Sequence, residues 1–179
     1  MNIFTTTRIL CREFETEDLR PFSLYRADPK VAQYQSWSDY SYQDALGLFE
    51  QMQRTPFATP DSWVQLALEC RETRQLLGDL ALHFIDDQQM EIGFTLAPQF
   101  QHQGYATEAV NGLLYYLFIE RGVRRIVATT DCDNRPSWSL LERVGFRREA
   151  HHIENIFFKG QWGSEFVYAI LASEFAAAQ

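Results

Sequence analysis

The sequence predicts an α/β fold built on a mixed sheet, and three observations carry that prediction. Met90, Ile92, Phe94 and Leu96 alternate with Glu91, Gly93 and Thr95, the clearest period-two run in the chain. Directly after it, Ala106, Ala109, Val110, Leu113, Leu114, Leu117 and Phe118 form a stripe at helical spacing over 104–120. Shorter apolar runs separated by turn residues fill the rest, in the order β-α-α-β-β-β-α-β-α-β-β.

Taken in order, residues 7–14 read as a first strand. Thr16, with Glu17 and Asp18 behind it, starts a helix that stops before Asp28 and Pro29. A loop rich in Tyr, Gln and Ser covers 33–40. A second helix starts near Ser41, with Ala45, Leu48, Phe49 and Met52 on one face, and ends before Pro56. Strands follow at 63–70, with Val64, Leu66 and Leu68 on one face, and at 76–85, joined by a polar turn at 71–74. Pro98 ends the strand at 90–96, and Gly122 stops the long helix. A short strand at 125–130 precedes a helix over 134–144, with Gly145 as its left-handed cap. Strands at 146–158 and 166–171 flank a turn at Lys159 and Gly160. No repeat or linker breaks residues 1–179, so one domain is expected.

Composition narrows the function. At 46% hydrophobic and 22% charged residues, the balance is that of a folded chain rather than a disordered one. The net charge of −8 offers no cation surplus for phosphates, which argues against a nucleic-acid partner and permits a cationic one. No apolar run approaches the roughly 20 residues that span a bilayer, and residues 1–10 lack a leader pattern. Cys11, Cys70 and Cys132 are odd in number and form no CxxC pair. A cytoplasmic setting with reduced thiols, and no zinc site, is the expectation. His151 and His152 lack a third ligand at suitable spacing, so no metal is expected.

The chemistry concentrates where the 90–96 strand meets the long helix. A loop delivering unpaired N–H groups to a helix N-terminus favours an anion, and Gly104 removes a side chain where a phosphate must approach. There is no GxGxxG after a strand and no GxxxxGK[ST], so neither usual nucleotide motif competes. By themselves these features give a phosphate site or an ordinary helix start.

The run Gln101-His102-Gln103-Gly104-Tyr105-Ala106 resembles the Q/R-x-x-G-x-G/A acetyl-CoA signature of the GNAT superfamily. The extension through Thr107-Glu108-Ala109 is similar to the branch of bacterial ribosomal-protein N-terminal (RimJ/RimL-type) acetyltransferases. So are Thr7-Arg8-Ile9-Leu10-Cys11-Arg12, Glu91-Ile92-Gly93-Phe94, Asn134-Arg135-Pro136-Ser137 and Val144-Gly145-Phe146, with Glu154, Asn155 and Tyr168 at familiar places. Two positions depart: Ser164 stands where the branch often has Asp, and Ile156 stands near a position where some members carry a carboxylate base.

The resemblance implies the GNAT fold, a mixed central sheet of about seven strands flanked by about four helices. It implies acetyl-CoA as co-substrate, with no metal. Residues 101–106 would cradle the pyrophosphate, with the backbone N–H of His102 mattering more than its ring. Phe94, Thr95 and Leu96 would pair with the pantetheine amides, and an N–H near Leu96 would polarise the thioester. Asn134 would bind the cofactor arm and Ser137 would meet the leaving sulfur. Glu91 and Glu154 are rival bases, and Tyr34, Trp37 and Tyr40 would form an aromatic wall for a substrate cation.

The expected reaction is direct acetyl transfer to a primary amine. An N-terminal α-amine, with a pKa of about 7.7–8.0, is roughly one-tenth neutral at pH 7, against about 0.04% for a lysine. The lack of an obvious strong base therefore leans toward a protein N-terminus, such as that of a ribosomal protein. A small amine (polyamine, antibiotic or amino acid derivative) is the alternative acceptor, and a non-catalytic acyl-CoA-binding module is a third reading. Monomer and homodimer both remain open.

Overall fold

The computed structural model describes residues 1–177. Eight strands form one sheet in the order β1-β2-β3-β4-β5-β6-β8-β7. These are β1 (Asn2–Thr5), β2 (Ile9–Glu13), β3 (Ser62–Cys70), β4 (Leu76–Phe84), β5 (Gln89–Leu96), β6 (Arg125–Asp131), β7 (Arg147–Phe158) and β8 (Gln161–Leu171). Among the described residues only β5 and β6 run parallel; every other neighbouring pair is antiparallel. The described helices are α1 (Leu19–Ala27), α2 (Pro29–Ala32), α3 (Tyr42–Arg54), α4 (Tyr105–Tyr115), α5 (Arg135–Arg143) and α6 (Ala172–Ala177).

The mixed α/β layout is as expected, with additions at the margins. β1 is a strand beyond the expected set; it pairs with β2, which spans only Ile9–Glu13. Thr16 does not cap α1, because 16–18 form a separate turn in which Asp18 accepts the Glu15 N–H at 2.7 Å. Asp28 starts α2 rather than a loop, its carboxylate accepting the Lys30 N–H at 2.8 Å ahead of Pro29 at the first helical position. Ser41 caps α3 as expected, in a reciprocal box with Asp44. α4 continues into a π-turn over Tyr116–Glu120, which the Arg121 N–H closes on the Tyr116 carbonyl at 3.0 Å.

Two apolar clusters cover the two faces of the sheet. On one face Leu66, Leu80, Leu82, Met90 and Ile92 pack against Ala109, Val110, Leu113 and Leu114 of α4 and Leu141 of α5. On the other, Ala67 meets Phe22 and Tyr25 of α1 and Ala45 of α3. The period-two run of β5 thus seats Met90, Ile92 and Leu96 under α4, and turns Glu91, Gly93 and Thr95 toward the α1–α3 face. That alternation sets the site.

Candidate active site

β5 and β6 pair at Gln89–Arg125, Met90–Ile126 and Glu91–Val127, and there the ladder ends. Beyond that point β5 follows β4 as far as Gly78–Leu96, while β6 follows β8 as far as Asp131–Glu165. A V-shaped gap opens above Glu91. The Ala97 N–H donates to the Leu77 carbonyl on β4 at 2.9 Å. Backbone groups alternate sides along a strand, so the N–H and C=O of Phe94 and Leu96 face the gap. Thr95 faces the other way: a Cβ built on Gly78 of β4 would lie 2.1 Å from the Thr95 oxygen. Of the three backbone donors expected to meet pantetheine, two therefore face the gap and Thr95 does not.

α4 begins at the top of this gap. Gly104 is its N-cap at φ +81, a left-handed conformation that suits glycine, and His102 in the same loop has φ +60. The first internal bond of the helix is from the Glu108 N–H to the Gly104 carbonyl at 3.0 Å, so the N–H groups of Tyr105, Ala106 and Thr107 precede the ladder. The side chains of Gln101 and Gln103 tie the loop down, donating to the Leu96 carbonyl at 3.1 Å and the Gln99 carbonyl at 2.8 Å. An unpaired helix start, a slim glycine and an adjoining gap fit an elongated anionic thioester.

The loop itself carries no cation, yet one stands beside it. Arg8 donates from Nη1 to the Gln103 carbonyl at 3.0 Å and from Nε to Glu108 at 2.6 Å, with its guanidinium 4.2 Å above the Tyr105 ring. Its Nη2 lies 3.3 Å from where a Gly104 Cβ would sit. Glu108 also accepts from the Thr6 hydroxyl at 2.6 Å and the Arg8 N–H at 2.8 Å. Burial alone would raise the Glu108 carboxyl, but the bonds from Thr6 and Arg8 outweigh it and hold it below the ordinary range.

At the start of α5, Asn134 is the N-cap, its Oδ1 accepting the Ser137 N–H at 3.4 Å. Its carbonyl oxygen thus serves the helix. Ser137 is partly buried in the first turn. Tyr168, fully buried, donates to Glu142 of α5 at 2.8 Å and accepts from Arg148 of β7 at 3.0 Å, so it locks α5 to the sheet.

The two candidate bases are separated by the gap. Glu91 is the last residue of the parallel ladder, and its Oε2 lies 3.5 Å from Nδ1 of His83. Glu154 is exposed, at φ +45 in an irregularity of β7 between His152 and Ile156. Ser164 holds that irregularity: its hydroxyl accepts the Glu154 N–H at 2.9 Å, and its carbonyl accepts the Cys132 N–H at 3.0 Å. His151 packs edge-on against Phe166 at 4.8 Å, and the described residues contain no metal-binding cluster.

The aromatic residues of the 33–40 loop divide. Trp37 donates from Nε1 to the Arg26 carbonyl at 2.9 Å, and the Arg26 guanidinium lies 4.0 Å from the Trp37 ring and 5.3 Å from Tyr40. Arg26 is itself buried against Asp79 at 3.1 Å. The cation at Trp37 and Tyr40 is therefore the chain's own. Tyr34 instead donates to the Asp133 carbonyl at 3.2 Å, at the outer end of β6. Burial, with Asp131 and Asp133 nearby, raises its hydroxyl above the usual range. Across this loop Lys159, at the β7–β8 turn, donates to the carbonyls of Ala32 and, at 2.9 Å, of Trp37.

Arg8 and His83 escaped sequence reasoning. Arg8 lies inside the Thr7–Arg12 strand segment, but its partners sit at 103–108; His83 is a lone histidine in a strand.

A splayed parallel pair beneath a glycine-started helix defines an acyl-CoA-dependent transferase. The acetyltransferase (GNAT) domain family matches residues 8–147, and the chain belongs to it. It is 30% identical over 171 residues to the uncharacterized N-acetyltransferase YnaD of Bacillus subtilis, covering 95% of this chain and 97% of the relative. Over 79 residues it is 27% identical to the [ribosomal protein uS5]-alanine N-acetyltransferase of Escherichia coli, covering 44% and 41%. Its fold is similar to spermidine N-acetyltransferase from Vibrio cholerae in complex with CoA and spermine, with TM-score 0.81, 22% identity and coverage of 96% and 99%. The chain is an acyltransferase of the GNAT kind.

Proposed function

We propose that the chain moves the acetyl group of acetyl-CoA directly to the N-terminal α-amine of a protein, such as a ribosomal protein. The observation that carries the transfer is the ladder break at Glu91–Val127 beneath Gly104. Acetyl-CoA supplies the activated acetyl group; the chain's residues hold, orient and exchange protons. The N–H groups at the start of α4, with Arg8 beside them, hold the pyrophosphate. Phe94 and Leu96 offer backbone partners along the gap, and a splay-facing N–H stabilises the developing oxyanion. Glu91, at the apex, takes the amine proton. Ser137, on the far side, gives its hydroxyl proton to the departing sulfur and recovers one from water, while Asn134 keeps its helix in register. No covalent enzyme intermediate is needed. The three free thiols suit a reducing, cytoplasmic setting.

A carboxylate such as Glu91 is a weak base, which favours an α-amine that is already part neutral near pH 7. A polyamine is the second reading. It is favoured by Asp131 and Glu165, paired across β6 and β8, with Tyr34 and Asp133 at the same mouth. Coenzyme A thiol release on a panel of free and N-terminally blocked peptides, spermidine and other small amines tests both. Turnover that vanishes on blocking the N-terminus supports the first reading; turnover of spermidine alone replaces it with the second.

A further inference from the structure

Resting on the reading of Glu91 as base, we infer that His83 and Asp61 form the exit through which the amine's proton reaches solvent. His83 stands directly across the β4–β5 ladder from Glu91, on the same face. Its Nδ1 is shut off from solvent and closes no hydrogen bond in this structure, and the acceptor within reach is Glu91 Oε2 at 3.5 Å. Its Nε2 lies 3.2 Å from Oδ1 of Asp61, in the turn before β3. Trp63 stacks flat on the imidazole, centroids 4.8 Å apart and planes at 10°, fixing the ring between the two carboxylates. Along the line the side chains of Glu91 and His83 are 27% and 19% accessible and that of Asp61 is 93%, so the terminal carboxylate is the member open to solvent.

The need for such a route follows from geometry. An acceptor lying in the gap covers Glu91 from the side where it would otherwise meet water. Each turnover leaves one proton on that carboxylate, and the base must be cleared before the next. The step balances as a relay. The amine N–H bond breaks and its proton goes to Glu91; Glu91 protonates Nδ1 of neutral His83. The resulting imidazolium releases its Nε2 proton to Asp61, which delivers it to water. The first tautomer returns when the ring turns about its Cβ–Cγ bond and brings Nδ1 to water: Nδ1 gives up its proton there and Nε2 takes one from water. Asp61 and Glu91 are the charged groups that meet the imidazole. Histidine suits the task because its two nitrogens face different partners.

His83 is thus a positioning and relay residue, and the variants Glu91→Gln, His83→Gln and Asp61→Asn test it. They are assayed on whichever member of the amine panel the wild type turns over. Glu91→Gln is expected to lose about a hundredfold or more in kcat. His83→Gln is expected to lose about tenfold in kcat, with the KM for acetyl-CoA unchanged, and to regain activity as imidazole is added to the buffer. Asp61→Asn should show a smaller loss that higher buffer concentration also repairs. An unaltered kcat in His83→Gln, or a loss that imidazole does not repair, overturns the relay and leaves Glu91 as base. A fully active Glu91→Gln, or a wild type inert on every amine, removes the base reading and the relay with it.

Discussion

Arg8 and Glu108, one hundred residues apart in sequence, meet at 2.6 Å and fasten the edge of the sheet to the first turn of α4. Glu108 near a helix N-terminus is favourable to the dipole, and Arg8 returns positive charge to a loop whose two glutamines are neutral. The pair therefore places a cation at the proposed phosphate site without leaving it unbalanced. Charge-assisted hydrogen bonds contribute about 1.5–3 kcal/mol. Arg8→Gln is accordingly expected to weaken coenzyme A binding by roughly tenfold or more, measured by calorimetry. Pantetheine, which lacks the phosphates, should bind both proteins alike. Equal loss for pantetheine would show that Arg8 only shapes the loop.

Glu108 makes an acid-sensitive contribution. Its folded carboxyl lies below the ordinary value, so the stability it provides is present above the unfolded pKa of about 4.3 and is lost as pH falls through the lower folded value. Glu108→Gln should lower Tm at pH 7 by roughly 3–10 °C, from about 1.5–3 kcal/mol. The gap to wild type should narrow steadily below pH 4. A gap independent of pH would mean that the carboxylate charge is not what the contact uses.

How far the sequence reveals this site depends on the range of the interaction. Alternation in 90–96 and the stripe from Ala106 to Phe118 are local, and they place the strand, the helix and the glycine between them. Ser41 with Asp44 is local as well, and α3 starts where they predict. The splay cannot be read that way, because it depends on where β6 leaves β5. Nor can the occupant of the 33–40 aromatics: Arg26 lies eleven residues before Trp37, and only the turn through α2 folds one onto the other. β1 is too short to announce itself and exists because β2 offers it an edge.

That occupant makes a prediction about Trp37. Its Nε1 bond to the Arg26 carbonyl and its stacking on the guanidinium hold the buried Arg26–Asp79 pair in place. Trp37→Phe keeps a ring but removes the bond, which is worth about 1 kcal/mol. A Tm fall of roughly 2–4 °C is expected, with the KM for the amine within about twofold of wild type. A large rise in that KM at unchanged Tm would give the ring back to the substrate.

Ser137 is the sharpest test of the departing-thiolate step. Its backbone N–H is taken by Asn134, which fixes the first turn of α5, and Pro136 at the second helical position stiffens the same turn. The hydroxyl is therefore carried on a rigid element that begins just past the C-terminal end of β6, one of the two strands that bound the gap. Removing it leaves the cap intact, since the cap uses the N–H and not the hydroxyl, so Ser137→Ala should fold and bind coenzyme A normally. If the hydroxyl protonates the leaving sulfur, kcat should fall by about a hundredfold, with the Kd for coenzyme A unchanged. The loss should shrink for a thioester whose leaving thiol is more acidic, because such a thiolate needs less help to depart. Equal losses in kcat and in cofactor affinity, or none in either, would confine Ser137 to the helix start.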